Sequence, residues 1–184
     1  MADPQKLVVL DRDGVINEDS PDYIKSEAEW RPVPGSLEAI ARLHQAGFTL
    51  VVATNQSGLA RGLFDDIALA RIHQTLMAEV EAGGGRLAGI FYCPHAPDAG
   101  CACRKPGTGL LQTIEDELAV SLAGCPFVGD SLKDLQAATT WGMRPILVRS
   151  GKGRQTEAIL ASHGFADVPV FDDLLATTEQ LLLT

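Results

Sequence analysis

The chain has 184 residues, 46% of them hydrophobic and 21% charged, which suits one soluble domain with a sizeable core and argues against disorder. Its formal net charge of -9 excludes a nucleic-acid backbone as partner, because no basic stripe offsets the repulsion. The longest apolar run near the start, Leu7 to Leu10, is too short for a signal-peptide core or a membrane span, so no membrane partner and a cytoplasmic location are expected.

"LVVL" at Leu7–Leu10 reads as a buried strand that ends in "DRDG". A helix is predicted over Ser36–Gln45, after Pro34-Gly35. A second strand follows at Thr49–Thr54, ending in "TNQS". A helix over Ile67–Ala82 is closed by Gly83, and "GIFYC" at Gly89–Cys93 forms a third strand running into "CPH". Beyond a helix at Thr108–Leu118, "PFVG" at Pro126–Gly129 gives a fourth strand that ends in "GDS". Helices at Lys133–Thr140, Gln155–Ser162 and Asp173–Leu183, with a strand at Pro145–Val148, complete the series. Alternating strand and helix predicts a three-layer α/β fold, a Rossmann-like parallel sheet with helices on both faces. No repeat or linker divides the chain, so residues 1–184 are expected to form a single domain. Ligands of such sheets bind beyond the carboxyl ends of the strands, so the four polar clusters should converge on one rim.

Asp11 and Asp13 sit at the tip of the first strand, spaced to face the same side if the chain stays extended. Alone, D-x-D-G also fits an ordinary turn in which Gly14 supplies the positive φ. At the fourth strand end, Asp130 and Asp134 flank "SLK". Asp130 with Asp11, several waters and the backbone carbonyl of Asp13 would satisfy magnesium, which takes oxygen ligands in octahedral geometry. Thr54 and Asn55 add a hydroxyl and an amide, and Lys105 adds a positive charge. The set has the composition of a phosphoryl-transfer site: a carboxylate attacks phosphorus only once the phosphate's charge is neutralised. Asp13 is placed as acid and then base for the leaving alcohol and the attacking water.

Cys93, His95, Cys101 and Cys103 give C-x-H and then C-x-C across a turn containing Pro97 and Gly100. Three thiolates and an imidazole satisfy tetrahedral zinc in a closed, structural site. The alternatives are a disulfide or free thiols, and a bridge between Cys101 and Cys103 would be badly strained. A short loop rich in Pro and Gly has little core of its own, so zinc would fix the direction of Arg104 and Lys105. Cys125 stands alone as core filling.

"LDRDGVIN", "TNQSG", "RKP" and "VGDSLKD" resemble, in order and over nearly the whole chain, the four signature motifs of the haloacid dehalogenase superfamily of phosphatases. The resemblance implies Asp11 as nucleophile and Asp13 as acid/base, with Thr54 and Lys105 stabilising the phosphoryl group. It further implies Asp130 on magnesium, with Asp134 orienting Lys105 or a metal-bound water. The cysteine loop resembles the zinc-containing branch that holds the heptose-bisphosphate and histidinol-phosphate phosphatases. "DRDGVIN" followed by Asp19 and Tyr23, together with "TNQSGLARG", is nearer the heptose enzymes. That implies a bacterial phosphatase acting on a small phosphorylated sugar in the making of lipopolysaccharide precursors. Substrate contacts would come from Asp19, Tyr23, Asn55, Gln56, Ser57 and Arg104. Two features depart from that pattern: a short spacer between His95 and Cys101, and Ser131 where a lysine is commoner. Too little chain separates the motifs for a large cap domain, and a monomer is expected.

The rival readings are the same chemistry on histidinol phosphate or another small ester, and a zinc-stabilised module with no catalysis. His44, His73 and His163 read as surface or helix-end residues, Trp30 and Trp141 as packing. "SGKGR" near Gly151 lacks the glycine that opens a P-loop, although Arg149 and Lys152 could reach an anion from the rim.

Overall fold

A chain that starts in the middle of its sheet must reverse direction across it once, and this one does so at the strand that carries Asp11. The computed structural model describes residues 6–183. Strands β1 (Leu7–Leu10), β2 (Thr49–Asn55), β3 (Gly89–Cys93), β4 (Pro126–Gly129), β5 (Arg144–Val148) and β6 (Val170–Phe171) form one sheet. Their spatial order is β3-β2-β1-β4-β5-β6, with every neighbouring pair parallel. The chain moves outward from β1 through β2 to β3, then crosses to β4 on the other side. The loops after β1 and β4 therefore diverge, and the crevice between them is the topological switch point where doubly wound sheets bind ligands.

Helices α1 (Ser36–Gln45), α2 (Asp66–Ala82), α3 (Gly109–Leu118), α4 (Leu132–Trp141), α5 (Gly153–Glu157) and α6 (Leu174–Leu181) cover the sheet. The two-residue period of β structure sorts each strand between two cores. Val8, Leu10, Leu50, Val52 and Val128 pack with Ile40, Leu43, Ile72, Leu76 and Leu174 of α1, α2 and α6. Leu7, Val9, Val51, Ala53 and Phe127 face the opposite way, onto Leu110, Leu111, Ile114 and Ala138 of α3 and α4. Burial on both faces explains why these strands read as unbroken apolar runs. Asp65 and Asp173 cap α2 and α6 through carboxylates that accept from Ala68 N at 2.8 Å and Ala176 N at 2.9 Å, contacts worth about 1 kcal/mol each.

The five expected strands and the expected layering are present, with helix ends displaced by one or two residues in α2, α3, α4 and α6. Two features differ from expectation. β6 is an additional edge strand of two half-buried residues, too short to show alternation. The helix expected over Gln155–Ser162 is α5, Gly153–Glu157, followed by a 3-10 turn at Ala161–His163. Only Gly153, Thr156 and Leu160 of that segment are buried, so no continuous apolar stripe sustains a longer helix. Residues 11–35 and 56–65 carry isolated bridges, turns and one 3-10 turn at Glu27–Glu29, with no α-helix or named strand.

Candidate active site

Asp11 is the first residue past β1, and its amide donates to Val128 O of β4 at 2.9 Å. It thus stands over the crevice between the two diverging loops. Asp130 follows β4 directly, and Asp134 lies in the first turn of α4. One carboxylate oxygen from each of the three comes within 4.8 Å of the others. Gly14 and Gly151 let Asp130 approach, since a Cβ on either would overlap Asp130 Oδ2. The Asp130 carboxylate also accepts from Lys152 N at 2.8 Å.

Lys105, 2% exposed, inserts its ammonium among these acids at 3.0 Å from Asp11 Oδ1 and 2.7 Å from Asp134 Oδ1. It donates as well to Ala53 O at 2.7 Å. The Asn55 amide holds the lysine from behind, donating to Lys105 O at 3.1 Å and accepting from Lys105 N at 3.0 Å. Both polar atoms of Asn55 take part in this clamp.

Burial first, then the charge of Asp134, pushes the Asp11 carboxyl up to about 7 against the pull of Lys105. Burial, Asp11 and Asp134 push Asp130 up to about 8. Three crowded, desolvated carboxylates with one lysine between them form a donor set suited to a hard divalent cation. Burial would raise Asp13 too, but Arg12 beside it, with hydrogen bonds from Asn17 and Gln56, holds it below the usual carboxylate range.

A cavity of about 390 Å³ opens above this floor. Asp13, Thr54, Gln56, Ser57, Asp19, Tyr23 and Arg104 line it, as the sequence led us to expect, and Asn55 shares the wall. Tyr23 holds a left-handed backbone, φ +65°, unusual for an aromatic residue, and Arg61 lies over its ring at 6.0 Å. Lys133 and Lys152 also line the cavity, and Lys152 Nζ pairs with Asp19 Oδ2 at 3.1 Å. Lys133 lies within "SLKD", and Lys152 is at the rim position from which the sequence suggested it could reach an anion. Ser131 reaches the cavity too, but its hydroxyl is spent on Asp134 Oδ2 at 2.8 Å. Arg149 turns away, paired with Glu157 and Asp172.

The histidine expectation needs correction at His73. It lies on α2 but is only partly exposed, with Nε2 3.2 Å from Arg12 NH1 and its ring against Tyr92. A partner 61 residues away leaves no local signal.

The four soft ligands form a second cluster. Cys103 Sγ lies 3.0 Å from Cys93 Sγ and 3.6 Å from Cys101 Sγ, and His95 Nδ1 lies 3.2 Å from Cys103 Sγ and 3.4 Å from Cys93 Sγ. Cys93, Cys101 and Cys103 form no disulfide. Zinc bonds of about 2.0–2.3 Å imply tetrahedron edges of roughly 3.3–3.8 Å, so the donors need little movement to surround the ion. The cluster adjoins the acid site: Cys93 O accepts from Gln56 N at 2.8 Å.

A relative from Bordetella bronchiseptica, D-glycero-beta-D-manno-heptose-1,7-bisphosphate 7-phosphatase, is 54% identical over 178 residues, covering 96% of this chain and 98% of its own. The Pseudomonas aeruginosa protein of the same name is 51% identical, covering 97% and 98%. The chain belongs to the family of these heptose-bisphosphate phosphatases. A family model described as HAD-hydrolase-like matches residues 102–177. The solved B. bronchiseptica D,D-heptose 1,7-bisphosphate phosphatase, complexed with magnesium and phosphate, superposes with a TM-score of 0.90 at 54% identity. It covers 97% of this chain and 98% of its own. The resemblance to haloacid dehalogenase phosphatases, and to the heptose branch within them, is therefore borne out, as is the fold. No helix among the described residues is long and apolar enough to cross a membrane.

Proposed function

We propose that this protein is a magnesium-dependent phosphatase that removes the C7 phosphate of D-glycero-β-D-manno-heptose 1,7-bisphosphate through an aspartyl-phosphate, supplying lipopolysaccharide precursors. The observation that carries this reading is the convergence of Asp11, Asp130 and Asp134 around buried Lys105 at the floor of a cavity. Its setting in a chain that matches the heptose phosphatases over nearly its full length gives the substrate.

In this reading Asp11, Asp130 and the Asp13 carbonyl hold magnesium, which neutralises phosphate charge and lowers the barrier to attack by an anion. Lys105 adds a fixed positive charge, and Thr54 offers its hydroxyl to a phosphoryl oxygen. Asp134 fixes the lysine. The Asp11 carboxylate attacks phosphorus, the bond from phosphorus to the C7 oxygen breaks, and that oxygen takes a proton from Asp13. Water then attacks the phosphoryl group and returns a proton to Asp13, and the bond to Asp11 breaks. Asp19, Tyr23, Gln56, Ser57 and Arg104 form the walls against the sugar and its remaining phosphate. One domain working as a monomer in the cytoplasm suffices, and reduced thiols there suit zinc.

Zinc on Cys93, His95, Cys101 and Cys103 fixes the loop from which Arg104 and Lys105 project. Cys101→Ser lowers zinc content and kcat together, with the metal affinity falling by more than the roughly 10–100-fold cost of losing a mere supporting contact. Elemental analysis beside initial rates checks this, and an active zinc-free variant removes the structural role.

The function is tested by comparing kcat/KM for the heptose bisphosphate and histidinol phosphate with magnesium present. The expected preference is at least ~100-fold, about 2.7 kcal/mol of differential transition-state binding. Equal or reversed values overturn the substrate, and no phosphate release from either ester favours a non-catalytic zinc module.

A further inference from the structure

Arg12 stands between Asp11 and Asp13 in the sequence, yet it lies behind the site, 1% exposed. Its Nε and NH2 donate to Asp13 Oδ1 at 3.1 and 2.8 Å, and its NH1 lies 3.2 Å from His73 Nε2. A guanidinium only donates, so His73 Nε2 must accept, and the ring is neutral with its proton on Nδ1. Burial and the Arg12 charge, which depress the His73 pKa to about 3, agree with that tautomer.

Asn17 Nδ2 adds a third N–H to Asp13 Oδ1 at 2.9 Å. The other oxygen, Oδ2, meets the neutral amide of Gln56, at 2.9 Å, on the cavity side. One oxygen thus takes three donors from within the protein, and its twin takes one, from a residue that lines the cavity. A buried ion pair is weak evidence of a stabilising purpose, and this one divides the work of the two oxygens.

We propose that Arg12 and His73 are positioning residues that fix the Asp13 rotamer, so that Oδ2 alone meets the leaving oxygen and, later, the hydrolytic water. The inference rests on the covalent reading above. In the first step Oδ2, protonated in the substrate complex where the phosphate's negative charge offsets the pull of Arg12, gives its proton to the C7 oxygen as that oxygen's bond to phosphorus breaks. In the second, a proton of water passes to Oδ2 as the new bond to phosphorus forms and the bond from phosphorus to Asp11 breaks.

The test uses the zinc- and magnesium-loaded enzyme, with His73→Leu, His73→Gln and Arg12→Lys assayed on the heptose bisphosphate and on p-nitrophenyl phosphate. His73→Leu and Arg12→Lys lower kcat on the bisphosphate ~10-fold or more, within the range of a lost acid–base contribution, while KM stays within about twofold. Both keep a rapid burst of nitrophenolate, since that leaving group needs no proton, and phosphoenzyme accumulates. His73→Gln, whose amide oxygen can accept from Arg12, restores most of kcat. Values of kcat within about twofold of the parent in both His73→Leu and Arg12→Lys overturn the proposal. So does a burst lost in step with melting temperature, which marks a purely structural role. If His73→Leu does not fold, the burst and kcat of Arg12→Lys decide. Absence of phosphoenzyme in the parent enzyme sinks the covalent reading and this inference with it; its presence beside unaltered variants sinks the positioning role alone.

Discussion

Asp11→Asn abolishes turnover and, in magnesium-free buffer, makes the protein more stable. The two effects share a cause. Loss of the attacking oxygen removes the covalent route, and removing a nucleophile of this kind costs at least about 10⁴-fold in kcat. Burial first, then the charges of Asp134 and Asp13, raise the Asp11 carboxyl from 3.8 to about 7 against the pull of Lys105. A carboxyl whose folded pKa lies above its unfolded value favours folding while protonated. That contribution is lost as pH climbs from about 4 through about 7. At pH 8 the ionised group costs the fold roughly 2–4 kcal/mol, the lower figure allowing for relief shared among the neighbouring acids. Asparagine is neutral and nearly the same shape, so the variant unfolds at higher urea than the parent at pH 8, with the gap closing towards pH 4. A gap independent of pH, or a destabilised variant, contradicts the electrostatic account. Residual turnover within 100-fold of the parent contradicts the covalent one.

How legible these features were in the sequence follows from the range of the forces involved. β1, β2 and β4 were legible because strands buried on both faces must be continuously apolar, and their polar ends stand out against "LVVL" and "PFVG". The acids were legible for a related reason: Asp11 and Asp130 sit where an apolar run stops, with Asp134 shortly beyond, and doubly wound sheets gather such ends. The Cys93, His95, Cys101 and Cys103 cluster declared itself because four soft donors crowd one short loop. β6 and α5 were not legible, because Val170–Phe171 is too short to alternate and the α5 segment buries only Gly153, Thr156 and Leu160. Partnerships across the fold were invisible as well. Nothing near His73 announces Arg12, and nothing near Asn55 announces the Lys105 backbone that its amide clamps. Residue type marked each as polar and near a motif, but only packing decided which atoms were already taken.

Lys105→Met exposes the same electrostatics from the opposite side. Burial alone would strip the ammonium of its proton, but Asp11 and Asp134 outweigh this and raise its pKa above the ordinary lysine value. Methionine fills the volume and leaves two buried carboxylates without their cation, a change that costs about 3–5 kcal/mol when one partner of a buried pair is removed. For a chain of this length that lowers the melting temperature by roughly 6–20 °C. Asp11 can escape part of the penalty by taking up a proton. Its folded pKa, already above the unfolded value, then rises further, so the loss grows as pH rises and shrinks as pH falls. Urea midpoints at pH 6 and pH 8 with an unchanged slope would show this directly. Adding Asp11→Asn to Lys105→Met removes one of the stranded charges, so the double variant recovers more stability than Asp11→Asn gains in the parent. The coupling energy of that cycle should be of order 1–3 kcal/mol. If the two substitutions instead add independently, the lysine is not what holds these acids together, and the charge balance assigned to the site's floor is wrong.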